Sequence, residues 1–406
     1  MKVLHVEAGR HLYGGARQVA YLLPGLAGLG VDSVLVCPQG SAIADELRGR
    51  IRRVHEIPMG GDLDLRLLWR LRRIIQSEQP DIVHLHSRRG ADLLGGIAAW
   101  SAGVKSVLSR RVDNPESVFV ARWKYRLFDR VITISEGIRQ VLLAEGVDPD
   151  RLVCVRSAVS PEAYETRCDR AWFRQTFGLA GNATVIAVIA QLIPRKGHRF
   201  LLRALPGLLG DFPAMRVIFF GQGPLEDELR GQVNALALHE RVMFAGFRRD
   251  LPRILPCLDL LVHPALMEGL GIALLQAAGA GVPIVAVKAG GMPEVVRDGL
   301  NGLLVPPGDA AELAAAIRRL LSDRELARRM GLAGRALLEQ EFSIEHMVKG
   351  TLQVYKDLLT GTHASDPQPA DHRQQDIRRG RALVSAFLPG PGGAGSSHRA
   401  GGAPGA

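Results

Sequence analysis

The chain has 406 residues, 47% of them hydrophobic and 23% charged, long enough for two cores of ordinary domain size and too apolar to be disordered throughout. Its formal charge is +10, with 17 Lys/Arg against 9 Asp/Glu between Arg48 and Arg130, which suits a phosphorylated substrate or an anionic surface. Only 5% of residues are aromatic, and no basic-aromatic ladder or zinc-finger spacing accompanies the arginines, so nucleic acid is not an expected partner.

Met1-Lys2 leads directly into the apolar run Val3-Leu4-His5-Val6. No apolar run of about 18 residues follows anywhere. Neither a leader nor a membrane span is expected, and the chain is expected in the cytoplasm. Cys37, Cys154, Cys168 and Cys257 lie far apart without C-x-x-C or histidine spacing, and read as four small buried thiols in a reducing compartment.

Short β-branched runs predict strands at Lys2–Glu7, Asp32–Cys37, Asp81–His86, Lys105–Leu108 and Arg130–Ile134, with helices at Ala16–Leu29 and Leu65–Gln76 between them. Alternation of this kind winds a parallel sheet. After a polar stretch near Glu162–Arg170 the pattern restarts, with strands expected at Thr184–Ala190, Arg216–Phe220, Arg241–Phe244, Asp259–His263, Pro283–Val287 and Gly302–Val305. The fold class is therefore α/β, with two Rossmann-like domains, at about 1–165 and 166–342, whose strand carboxyl ends face one cleft. Helical apolar spacing over Ser343–Leu359 closes the folded part, as a helix at 343–360 returning to the first domain. The Gly/Pro-rich remainder, 361–406, reads as a disordered tail.

The chemistry-bearing stretch runs from His263 to Pro307. A strand ends at His263, a loop carries Glu268, Gly269, Leu270 and Gly271, and a helix begins near Gly271 with Gln276 on it. Free backbone N–H groups at such a helix start suit a diphosphate, and Glu268 and Gln276 suit sugar or ribose hydroxyls. In the first half, the stretch Phe119-Val-Ala-Arg122-Trp123-Lys124-Tyr125-Arg126 mixes aromatic and basic residues, which suits an anionic membrane surface.

The His263–Pro307 stretch resembles the E-x7-E region of the large retaining GT-B glycosyltransferase family, family 4, which includes bacterial lipopolysaccharide-core and mannosyl transferases. Gly14-Gly15, Asp81-Ile-Val-His84-Leu-His86, Ile134-Ser135-Glu136, Pro194-Arg195-Lys196-Gly197 and Phe220-Gly221-Gln-Gly223-Pro follow in the family's order, and the resemblance covers nearly all of 1–360. It implies a nucleotide-sugar donor, UDP- or GDP-linked, a glycan or lipid-linked acceptor, and a role in cell-surface polysaccharide or lipopolysaccharide assembly, with peripheral contact at the inner face of the plasma membrane. By the same similarity, Gly15, Arg195, Gly223, Gly269, Leu270, Gly271 and Gln276 bind the donor. Lys196, Glu268 and Arg111 are the catalytic candidates, with His86 and Arg110 on the acceptor side. No metal or other cofactor is expected, because retaining transfer of this kind lets the departing phosphate take the acceptor proton.

Three positions depart from the family pattern. Ala190-Gln191 stand where Gly-Arg is common, Gln276 replaces the second glutamate, and Ser109-Arg110-Arg111 occupies the place of a histidine. An arginine offers positive charge to a leaving phosphate but does not imitate a neutral imidazole. Two alternatives stay open at this point: a nucleotide-sugar epimerase of the same fold, and a non-catalytic nucleotide-sugar binder. A dinucleotide oxidoreductase is disfavoured, since no G-x-G-x-x-G follows the first strand.

Overall fold

The computed structural model describes residues 1–61, 64–86 and 90–361. Seven strands form the first sheet: β1 (Lys2–Val6), β2 (Asp32–Pro38), β3 (Arg53–Ile57), β4 (Ile82–Leu85), β5 (Lys105–Arg110), β6 (Arg130–Thr133) and β7 (Leu152–Cys154). Their order is β3-β2-β1-β4-β5-β6-β7, parallel throughout. The second sheet contains β8 (Thr184–Ile189), β9 (Met215–Phe220), β10 (Val242–Gly246), β11 (Leu260–His263), β12 (Ile284–Val287) and β13 (Leu303–Val305). It is also parallel, in the order β10-β9-β8-β11-β12-β13.

In both sheets the strand order reverses direction beside the first strand, between β1 and β4 and between β8 and β11. Crevices outside the carboxyl ends of strands at such points are where open α/β sheets bind ligands. The sequence therefore places His86, Gln191 and His263 near two switch points simply by where these four strands stop.

One face of the first sheet is covered by helices Gly14–Gly28 and Ile344–Thr360, whose Leu23, Leu26, Val348 and Tyr355 are buried together. Helices Leu65–Glu78, Ala91–Ser101 and Val118–Lys124 cover the other face through Leu67, Leu71, Leu94 and Ala121. The last helix thus leaves the second sheet and packs on the first. Gly25 makes room for it, because a Cβ there would lie 2.5 Å from Val348 Cγ2.

The expected strands are present with ends shifted by a residue or two, and two strands had no counterpart in the periodicity. Those two, β3 and β7, are the edges of the first sheet, and most of their residues are only partly buried. β3 mixes charged with apolar residues and β7 has only three residues, so neither carries the longer apolar run of an interior strand. The expectation of four free thiols is corrected: Cys168 and Cys257 form a disulfide across a sequence separation of 89, while Cys37 and Cys154 are free. Spacing along the chain contained no sign of this, since the fold alone brings the two Cα atoms to 4.8 Å. Among the described residues no helix is long and apolar enough to cross a membrane. The tail expected over 361–406 lies, apart from Gly361, outside the described residues.

Candidate active site

On the second sheet the site is built from three loops held backbone against backbone. Gly197 has φ +70°, and a Cβ there would lie 2.0 Å from the Pro264 carbonyl oxygen. Gly290 has φ +55°, with an added Cβ 2.1 Å from the Glu268 carbonyl oxygen. Only glycine fits both the left-handed backbone and the close approach. These contacts bring Lys196, at the end of the short turn Pro194–Lys196, to Glu268 in the loop between β11 and helix Ile272–Gly279.

Lys196 Nζ donates to Glu268 Oε2, and His263 Nε2 lies 3.1 Å from the same oxygen. Both partners are largely buried, with side chains 9% and 16% exposed. Burial alone would raise the Glu268 carboxyl, but the His263 hydrogen bond and the Lys196 charge together hold it well below the usual carboxylate range. Glu268 is therefore an ionised acceptor at neutral pH. Leu270 is buried beside it, and Gly271, with φ +94°, is the residue from which the helix starts.

The first-sheet side is a histidine network. Register alone pairs His5 of β1 with His84 of β4, and His86 follows at the end of β4. His84 Nε2 lies 2.8 Å from Ser109 Oγ, and its Nδ1 meets the Tyr355 hydroxyl of the last helix. His5 Nδ1 lies 3.0 Å from His86 Nε2, and Arg111 Nη2 lies 3.5 Å from His86 Nδ1. A guanidinium only donates, so His86 Nδ1 accepts and its Nε2–H donates to His5. Burial brings His5 down to about 3. His84 and His86 are also held well below the ordinary value, by burial first, with the adjoining imidazoles and Arg111 opposing a further positive charge. All three are neutral at pH 7. Burial lowers Arg111 to about 10 against the opposing effect of Glu7 and Tyr355, and it remains a cation.

His5, His84 and His86 are the group among the described residues with metal-ligand spacing, their nitrogens within 4.8 Å of one another. The donor set fits a metal poorly, since both His84 nitrogens and the facing His5 and His86 nitrogens already serve hydrogen bonds and Arg111 adjoins them. The network instead places a neutral imidazole, His86, directly beside Arg111.

The two halves meet around these groups. An added Cβ at Gly269 would lie 3.2 Å from the Arg111 carbonyl oxygen, and one at Gly15 would lie 3.5 Å from Arg111 Cδ. Arg195 reaches Asp113 at 3.3 Å. Glu294 accepts from the Gly137 amide at 3.0 Å and from Arg156 Nε at 3.1 Å, which ties the loop after β12 to the helix start after β6. At the rim, the rings of Tyr13 and Phe247 are 5.3 Å apart.

Three of the expected residues make their contacts with other partners. Arg110 is buried and donates to Glu116 at 3.0 Å and to the Asn114 carbonyl at 2.6 Å, so its charge is spent on its own loop. Gln276 Nε2 donates to the Tyr164 hydroxyl at 2.8 Å. Gly223 packs against the backbone of Leu192. Residues that the motifs left unassigned are His5, Ser109, His263 and Tyr355. Of these His263 carried a sequence signal, as the strand-ending residue five positions before Glu268, and Ser109 opened the stretch that departs from the family pattern.

Residues 169–337 match the model of the family "Glycosyl transferases group 1", and residues 13–158 match that of the "Glycosyl transferase 4-like domain". The chain is 34% identical over 253 residues, 59% of its own length and 63% of the relative's, to the GDP-mannose-dependent alpha-(1-6)-phosphatidylinositol monomannoside mannosyltransferase of Mycolicibacterium smegmatis. It is 27% identical to the lipopolysaccharide core biosynthesis glycosyltransferase LpsE of Rhizobium meliloti, over 87% of this chain and 98% of that one. Among solved structures it is similar in fold to Anabaena HepE in complex with UDP and glucose, with a TM-score of 0.76, 24% identity, and coverage of 88% of this chain and 99% of that one.

Proposed function

Because the chain belongs to the group 1 glycosyl transferases and has their two-domain GT-B fold, we propose that it transfers a sugar from a UDP- or GDP-sugar to a glycan or lipid-linked acceptor, with retention of configuration. The observation that carries this reading is the Lys196–Glu268 pair at the carboxyl end of the second sheet, with Arg111 and His86 at the switch point of the first. In this reading Lys196 and the first amides of helix Ile272–Gly279 hold the diphosphate, while Glu268 accepts hydrogen bonds from the donor sugar. The bond from the anomeric carbon to the phosphate breaks as the acceptor oxygen bonds to that carbon on the same face, and the acceptor proton passes to the departing phosphate. The chain's share is orientation and stabilisation of growing negative charge. Lys196 and Arg111 supply that positive charge, so the reading requires no divalent ion.

The name of the Rhizobium meliloti relative supports a role in cell-surface polysaccharide or lipopolysaccharide assembly, and HepE's complex with UDP and glucose supports a nucleotide-sugar donor. A lipid-linked acceptor would be met at the cytoplasmic face of the plasma membrane, through peripheral contact by the basic and aromatic helix Val118–Lys124. Turnover of labelled UDP- and GDP-sugars tests the activity, and the anomeric configuration of the product, read by NMR, tests retention. A matching nucleotide sugar at a hundred times its Kd should add about 2.7 kcal/mol to stability, which makes a thermal-shift screen a way to find the base. Glu268→Gln keeps the shape of the side chain and should lower transfer at least about a hundredfold, as should Lys196→Ala. Turnover like that of the unmodified chain in both variants, with unchanged melting temperature, would reject the site.

A further inference from the structure

We propose that Arg122, Arg126 and Arg151 form a pocket for the headgroup phosphate of an anionic bilayer lipid, seated beside the apolar end of helix Val118–Lys124. The inference rests on the membrane contact proposed above and gives it a defined ligand. The helix exposes Phe119 at 83% and Trp123 at 54%, with Val118 and Val120 half exposed. Four neighbouring apolar side chains turned to solvent on one short helix form a patch, unlike scattered surface residues. Positions 119, 122 and 123 recur at helical spacing and Arg126 follows in the short turn Tyr125–Leu127, so aromatic and guanidinium groups lie close together along this segment.

Behind that segment lies a cavity of about 200 Å³ lined by Arg122, Arg126 and Arg151 together with Tyr125, Gly146 and Asp148. The apolar end and the cavity are contiguous: a Cβ at Gly146 would lie 3.3 Å from Arg122 Cδ and 3.8 Å from Val118 Cγ1. The charges are uneven. Lys124, turned inward on the same helix, is neutralised by Asp92 at 2.6 Å and Glu116 at 3.3 Å. Asp148 faces Arg151 at 3.5 Å, and among the described residues Arg122 and Arg126 have no ion-pair partner. A planar guanidinium matches phosphate oxygens two at a time, and aromatic rings settle at the depth of lipid headgroups. A phosphate free in solution would make no use of Phe119 and Trp123, so the complementary occupant is a bilayer.

The test is sedimentation of the full chain with phosphatidylglycerol/phosphatidylcholine vesicles. The unmodified chain should bind them. Phe119→Ser with Trp123→Ser should weaken binding about tenfold or more. Arg122→Lys with Arg126→Lys keeps the charge but loses the forked geometry, and should weaken binding about fivefold or more at an unchanged melting temperature. Absence of binding by the unmodified chain would overturn the membrane reading and this inference with it. Equal binding by the lysine variant would overturn the pocket alone and leave diffuse surface charge as the attraction. Displacement of the chain from vesicles by glycerol phosphate at concentrations matching the lipid phosphate would also overturn it, by making the site one for soluble phosphates.

Discussion

His5 shows how burial at one residue sets a property of the whole protein. Its imidazole takes up a proton near pH 6.5 in the unfolded chain but only near pH 3 in the folded one. Between those values the unfolded state holds the extra proton, so stability is complete above pH 6.5 and falls by about 1.4 kcal/mol per pH unit for this residue alone. His84 and His86 shift in the same direction and add to the loss. Glu268 acts lower on the scale: its depressed carboxyl contributes fully above its ordinary 4.5 and progressively less as pH falls below that. Melting temperature is thus expected to decline from pH 6.5 to 5, before the carboxylates begin to matter, and His5→Gln should flatten that slope. An unchanged slope would show that His5 is charged in the folded chain. At this scale sequence motifs singled out Lys196, Glu268, Arg111 and His86, but not that His86 would be held neutral beside Arg111, which depends on tertiary burial.

Among the elements, the loop contacts that align the site depend on backbone conformation. Gly197→Ala would place a methyl group 2.0 Å from the Pro264 oxygen at φ +70° and push the Lys196 turn off the Glu268 loop. Gly299, with φ +76° and nothing within 4 Å of an added Cβ, provides the comparison. Gly299→Ala should cost only the left-handed strain of about 1–2 kcal/mol. Gly197→Ala should cost clearly more and lower transfer as well. Calorimetric unfolding of the two variants checks this, and equal losses would mean that the Gly197 contact yields easily. The glycine pattern was visible in the sequence. Its partners were not, because each close approach joins segments far apart in the chain.

Considered as one molecule, the chain has two sheets and a last helix that belongs in space to the first of them. Met347, Val348, Val354, Tyr355 and Leu358 are buried on that sheet. At about 1.5–3 kcal/mol for each large side chain, ending the chain at Ser343 removes roughly as much as the whole net stability of a domain. Such a truncation should fail to give a cooperatively folding first domain by circular dichroism, and a sharp native-like transition would refute it. By itself the sequence determined the α/β class, the restart into a second sheet and the Lys196 and Glu268 motifs, because buried strands and glycine loops are local patterns of apolarity and chain conformation. Only the tertiary structure decided the edge strands β3 and β7, the Cys168–Cys257 bond, the Arg195–Asp113 pair and the reach of Tyr355 to His84 across 271 positions. Each of these depends on which surfaces come together when the strands are ordered into sheets, and side chains distant in sequence carry no mark of the partner that folding will give them.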